Sequence, residues 1–96
     1  AISVLSAAVA VTFDSAGRCA CARIALGAVA PRPLRATAAE AVLAGEKLTP
    51  AVIGEAARLA GEAASPISAI RGSAAYRRQV TEVVVRRLLE QMETQS

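Results

Sequence analysis

The sequence predicts an α+β fold: an antiparallel β-sheet, opened by an N-terminal hairpin, packed against three C-terminal helices. Two observations carry this. Apolar residues alternate with period two near the start of the chain, and they recur at helical spacing through its second half. Strands therefore precede helices instead of interleaving with them, which argues against a parallel α/β sheet.

The first strand places Leu5, Ala7, Val9, Val11 and Phe13 on one face and Ser6, Ala8, Ala10 and Thr12 on the other. Asp14-Ser15-Ala16-Gly17 supplies the turn, with Gly17 free to take positive φ. A second strand over Arg18 to Val29 puts Ile24, Leu26 and Ala28 together, with Cys19, Cys21 and Arg23 opposite. Pro31 ends it by removing a ladder donor, and Pro33 holds the chain extended, leaving room for a third short segment between Pro31 and Ala36.

Thr37-Ala-Ala-Glu40 matches a capping box, and Gly45 closes the short helix it opens. Thr49-Pro50 begins a second helix with an N-cap and an N1 proline; Val52, Ala56, Leu59 and Ala63 form its expected buried stripe, and Glu55, Arg58 and Glu62 its solvated face. Ser65-Pro66 breaks that helix, and a loop through Ile67, Ile70 and Gly72 leads to Ser73, the expected cap of a third, longer helix. Tyr76, Val80, Val83, Val84 and Leu88 are its expected core stripe, ringed by Arg77, Arg78, Glu82, Arg86, Arg87 and Glu90. The run Val83-Val84-Val85 favours a strand locally, but the helical period around it is longer and prevails.

The 96-residue chain is long enough for one core, burying about two-thirds of its unfolded surface. It lacks an apolar run of about 20 residues and a basic-then-apolar leader, so neither a membrane span nor a signal peptide is expected; the poor disulfide geometry of Cys19 and Cys21 makes a reduced, cytoplasmic setting the expectation. It has no initiator Met and opens in a strand, so the expectation is one domain, residues 1–96, taken from a longer subunit. A net charge of +3 permits an anionic partner without demanding one, and Phe13 and Tyr76 are the only aromatics to offer a nucleic-acid stacking platform.

The absence of His removes the commonest general base and metal ligand and rules out a Ser-His-Asp triad. Cys19 and Cys21, two apart, are expected on one strand face and reduced; a zinc or iron–sulfur site needs about four ligands, and reactivity would need a cation such as Arg18 or Arg23. Gly27 to Pro31 lacks the glycines of a phosphate loop. Pro31-Arg32-Pro33-Leu34-Arg35 reads equally as a stiff docking segment or as a rigid connector with solvated arginines. Ile70 to Arg78 reads as a helix start with Tyr76 in the core, or as an Arg–Tyr cluster that binds a carboxylate.

Two stretches, "ARIALGAVAPRPLRATAAEAVLAGEKLT" and "EAASPISAIRGSAAYRRQVTEVVVRRLLEQ", resemble the C-terminal domain of the FAD-binding (medium) subunit of molybdenum hydroxylases, the carbon monoxide dehydrogenase and xanthine dehydrogenase family. Gly27, Val29, Ala30, Pro31, Pro33, Arg35 and Ala36 match its strand-to-helix motif, and Arg71, Ser73, Ala74, Tyr76 and Arg77 a second motif at a helix start. Ala69 stands where that second motif is acidic, which removes a partner for Arg71.

The resemblance implies a supporting role in an oxidoreductase that passes electrons from iron–sulfur clusters to FAD. It implies FAD in the parent subunit between two domains that precede this one, and molybdopterin and 2Fe–2S clusters in partner subunits. This domain is expected to hold no cofactor, no metal and no catalytic residue, and to be inactive alone. Its expected partners are the upstream FAD-binding domains and the molybdopterin and iron–sulfur subunits, not nucleic acid or membrane. Arg32, Arg35, Arg71, Tyr76 and Arg77 are the candidate interface residues. The alternatives are a stand-alone interaction module using the Pro-Arg-Pro segment and the third helix, and an anion- or RNA-binding surface with salt-sensitive affinity.

Overall fold

The structure, a computed structural model, describes residues 6–27, 34–64 and 74–93. Strands β1 (Ser6–Phe13), β2 (Cys19–Gly27) and β3 (Leu34–Arg35) come first, then helices α1 (Thr37–Leu43), α2 (Pro50–Ala64) and α3 (Ala74–Glu93). The strands form one antiparallel sheet in the order β1-β2-β3. The predicted α+β class and helix count hold, and the third extended segment is the short strand β3; Arg32 and its flanking prolines lie outside the described residues.

The hairpin turn is tied by Asp14. Its Oδ1 accepts the N–H groups of Ala16 and Arg18, each at 2.9 Å, while the Gly17 N–H donates to the Asp14 carbonyl. Gly17 has φ 81, the left-handed region that the sequence anticipated. Inward pairs Ala7–Leu26, Val9–Ile24 and Val11–Ala22 follow from period two.

At the turn end the register shifts. Thr12 faces Cys21 and Phe13 faces Cys19, so Ala20 is an extra residue in β2, a bulge. One added residue inverts the phase beyond it. Cys19 therefore points into the core with no exposed surface, while Cys21 lies outside, which corrects the expectation that both thiols share a face. The start of β2 is held from the other side by the loop after α1, where the Gly45 N–H donates to the Cys19 carbonyl and the Cys19 N–H to the Glu46 carbonyl, both at 2.8 Å.

The capping box does not form. The cap position of α1 is Ala36, which makes no side-chain cap bond; Thr37 is exposed, and the Glu40 carboxylate turns to the sheet instead. In α2 the expected cap is present, with the Val52 N–H donating to Thr49 Oγ1 at 3.3 Å. The buried face of α2 is Ile53, Ala56, Ala57, Ala60, Gly61 and Ala64, with Val52, Leu59 and Ala63 only partly covered at its margin. The expected stripe thus sits about one residue off the true one. A β-carbon at Gly61 would lie 2.7 Å from the Arg78 carbonyl oxygen, so the α2 and α3 backbones meet there.

The face of α3 is also rotated. Thr81, Val85 and Leu89 are fully buried, whereas Val80, Val83, Val84 and Leu88 are half-buried and Tyr76 is exposed. Apolar residues occupy two sides of this helix, and packing on α2 and the sheet selects the side that periodicity did not rank first. The layers are simple: α1 lies over β2, α3 over β1, and α2 packs on both other helices. Among the described residues no helix is long and apolar enough to cross a membrane.

Candidate functional site

The described polar chemistry concentrates where β3 gives way to α1. After Arg35 the chain leaves the sheet: the Ala36 N–H still donates to the Ile24 carbonyl at 2.9 Å, but no further strand residue follows to accept from Ile24. Ile24 is fully buried, so an unpaired N–H there would be costly. Glu40 solves the problem from α1. Its Oε2 accepts the Ile24 N–H at 2.8 Å, a side chain standing in for a missing strand carbonyl.

The carboxylate is in turn held by Arg35. Arg35 NH2 donates to Glu40 Oε1 at 2.6 Å and Arg35 Nε to Oε2 at 3.2 Å, a two-pronged pair in which Glu40 is nearly buried and Arg35 is 54% exposed. Burial would raise the Glu40 pKa. The Arg35 hydrogen bonds, the Ile24 N–H and the charges of Arg35 and Arg23 outweigh it and hold the carboxyl below the usual range. Arg35 is pushed up, first by its hydrogen bond to Glu40 and then by the carboxylate's charge.

Of the sequence-predicted site residues, the structure describes the side chains of Arg35 and Tyr76. Arg35 is in this clamp, its outer surface still open to solvent. Tyr76 lies on the first turn of α3 and is 59% exposed. Arg32 and Arg71 lie outside the described residues, as does the side chain of Arg77. Glu40 was missed as anything but a cap. The available signal was a single acid among alanines in Thr37-Ala-Ala-Glu-Ala-Val-Leu43, set on the side of the helix that carries Leu43.

Two hollows lie on the described surface. One, of about 430 Å³, runs along α3 between Tyr76 and Arg87, with Val80, Val83 and Val84 as its floor. The other, of about 370 Å³, lies between the hairpin turn and the α1–α2 loop and carries Lys47. Among the described residues no cluster of three His, Cys, Asp or Glu side chains could hold a metal. The Cys19 thiol is pushed up by burial and by the charge of Cys21, against a weaker hydrogen bond from the Cys21 backbone, and so is disfavoured as a thiolate nucleophile.

A flavin fits the α3 hollow poorly: its lining comes from one helix face, with Arg87 the one cationic side chain in it to meet a pyrophosphate. What the fold defines is a small α+β domain, a three-stranded antiparallel sheet packed against three helices. The chain belongs to the CO dehydrogenase flavoprotein C-terminal domain family, whose model matches residues 1–92.

Solved structures agree. The chain is similar to quinoline 2-oxidoreductase from Pseudomonas putida 86, with 33% identity over 94% of this chain, 31% of that chain and a TM-score of 0.78. It is similar to reconstituted CO dehydrogenase from Oligotropha carboxidovorans, with 33% identity over 96% of this chain, 32% of that chain and a TM-score of 0.75. A third likeness is to the carbon monoxide dehydrogenase from Hydrogenophaga pseudoflava that lacks the Mo-pyranopterin moiety of the molybdenum cofactor, with 38% identity over 84% of this chain, 28% of that chain and a TM-score of 0.60. This chain thus spans about a third of the length of those it matches. A search of curated proteins gives no match.

Proposed function

We propose that this chain is the C-terminal domain of the flavoprotein subunit of a molybdenum hydroxylase. In this reading it buttresses the FAD-binding part of that subunit and contacts the molybdopterin and iron–sulfur subunits, while electrons pass from the iron–sulfur clusters to FAD. The carrying observation is the family match over residues 1–92, supported by 33% identity to two structures across nearly the whole chain. Arg32, Arg35, Arg71, Tyr76 and Arg77 are the proposed contact residues toward those neighbours, as charged and aromatic anchors at an interface.

The chemistry that FAD supplies, two-electron and one-electron exchange, belongs to the rest of the subunit in this reading. This chain's own residues position. Arg35 and Glu40 fix the junction of sheet and α1, and the solvent-open side of the Arg35 guanidinium keeps donors for a neighbouring carbonyl or carboxylate. The test is a flavin titration of the purified 96-residue chain. It is expected to stay colourless after desalting; stoichiometric FAD retained on the chain would overturn the assignment of the flavin site to other domains.

A further inference from the structure

We propose that the edge of β1 left unpaired among the described residues and the adjoining flank of α3 form one continuous docking surface, and that its occupant is an extended segment of the flavoprotein polypeptide outside this domain, apolar with one carboxylate. The inference rests on the reading above.

The first observation is the edge itself. β1 is an outer strand of the sheet, and the stretch from Ile2 to Phe13 contains no charged residue and no proline. Strands left open to solvent are ordinarily blunted by lysine, proline, a bulge or shortness, because every second N–H and C=O along them is unpaired. β1 runs for eight residues without any of these, and the bulge of this hairpin falls on β2. The opposite edge is handled differently: β3 has two residues and is followed at once by the Arg35–Glu40 pair. Among the described residues, one edge is short and clamped and the other is long and unblunted.

The second observation is independent and concerns packing. Val9, Val11 and Phe13 point inward yet are only partly buried, and on α3 Val80, Val83, Val84 and Leu88 are half-buried. These two sets adjoin. α3 lies over β1, and Gly61 of α2 meets the backbone of Arg78, so the Arg78 flank of α3 faces α2. Val80 is about 200° and Val84 about 120° around the helix from Arg78, so both face away from α2. The apolar floor continues into the 430 Å³ hollow, which ends at Arg87.

The occupant follows from chain length and charge. The matched chains are about three times as long as the part this domain covers, so most of each lies outside it. A segment of that remainder adds a strand to β1, lays apolar side chains against Val80 and Val84, and sets a carboxylate opposite Arg87.

Hydrogen exchange compares the 96-residue chain with the full flavoprotein subunit that contains it. In the subunit, the β1 amides that do not donate to β2 are expected to exchange on the order of a hundredfold more slowly than in the chain alone. Ala8→Lys, which places a charge on an exposed position of the edge strand, is expected to abolish that difference, and Val83→Glu to reduce it. Each variant is first checked as the 96-residue chain by circular dichroism and melting; should Val83→Glu not fold, Ala8→Lys alone decides.

Equal exchange in chain and subunit overturns the proposal. Protection that grows with concentration in the chain alone, with a dimer on light scattering, assigns the surface to a second copy and also overturns it. Protection that appears only when the molybdenum or iron–sulfur subunit is added does the same. Failure of the functional reading is seen separately, in the flavin titration, which these outcomes do not touch.

Discussion

Replacing Glu40 separates the two things its carboxylate does. In Glu40→Ala the buried Ile24 N–H loses its acceptor, a cost of about 2 kcal/mol. The one lost methylene, Cγ, costs about 0.8 kcal/mol more. The Arg35 pair adds little, because the guanidinium is half in water. The expected loss is about 3 kcal/mol, which in a domain of this size lowers Tm by about 12–24 °C. Glu40→Gln keeps an oxygen for Ile24 and loses only the charge, so it is expected to cost about 1 kcal/mol.

The pH dependence has a definite sign. Glu40 has a folded pKa below its unfolded value, so its stabilisation is complete above the ordinary carboxylate pKa of about 4.3 and is lost as pH falls through the folded one. Thermal or urea melts from pH 7 down to pH 3 are expected to show the wild type losing stability below about pH 4.3, with that slope reduced in Glu40→Gln. Equal melting of the Ala and Gln variants, or an acid limb in Glu40→Gln as steep as in the wild type, would refute the surrogate-acceptor account.

Three further outcomes are expected. Gly61→Ala drives a methyl to 2.7 Å from the Arg78 carbonyl and is expected to cost about 1–3 kcal/mol, whereas Gly54→Ala, in the same helix with nothing within 4 Å, is expected to gain about 0.5–1 kcal/mol; urea midpoints of the pair check both. Thr81→Val removes a buried hydroxyl that has no hydrogen-bond partner among the described residues and is expected to raise stability by about 1 kcal/mol, read in the same melts. Iodoacetamide is expected to add one group to the native chain, at exposed Cys21, and a second at Cys19 only in denaturant, as mass spectrometry resolves.

Element order, the hairpin, the Thr49 cap and the family were legible because each is written in local pattern or motif: alternation up to Phe13, Thr49-Pro50, and the matched residues around Pro33 and Tyr76. The errors arose where local pattern is degenerate. Cys19 and Cys21 share a strand phase until Ala20 adds a residue, and no residue type announces that bulge. On α3, one apolar stripe runs through Val80, Val84 and Leu88 and another through Val85, Leu89 and Met92, and only α2 and the sheet decide between them. Glu40 matched a capping box exactly in spacing, but its competing acceptor role at Ile24 arises from the shortness of β3, which is a tertiary fact. The proposed contact residues were picked by residue type alone, and spacing does not encode what would neighbour them.

The return of α3 to β1 makes the last described helix the cover for the first described strand. During translation, then, Val9, Val11 and Phe13 emerge long before the element that shields them and wait through the synthesis of β2, α1 and α2. A ribosome stalled just after Ala64 would hold a nascent chain with that strand bare, so chaperone capture is expected to peak there and to fall once α3 clears the exit tunnel.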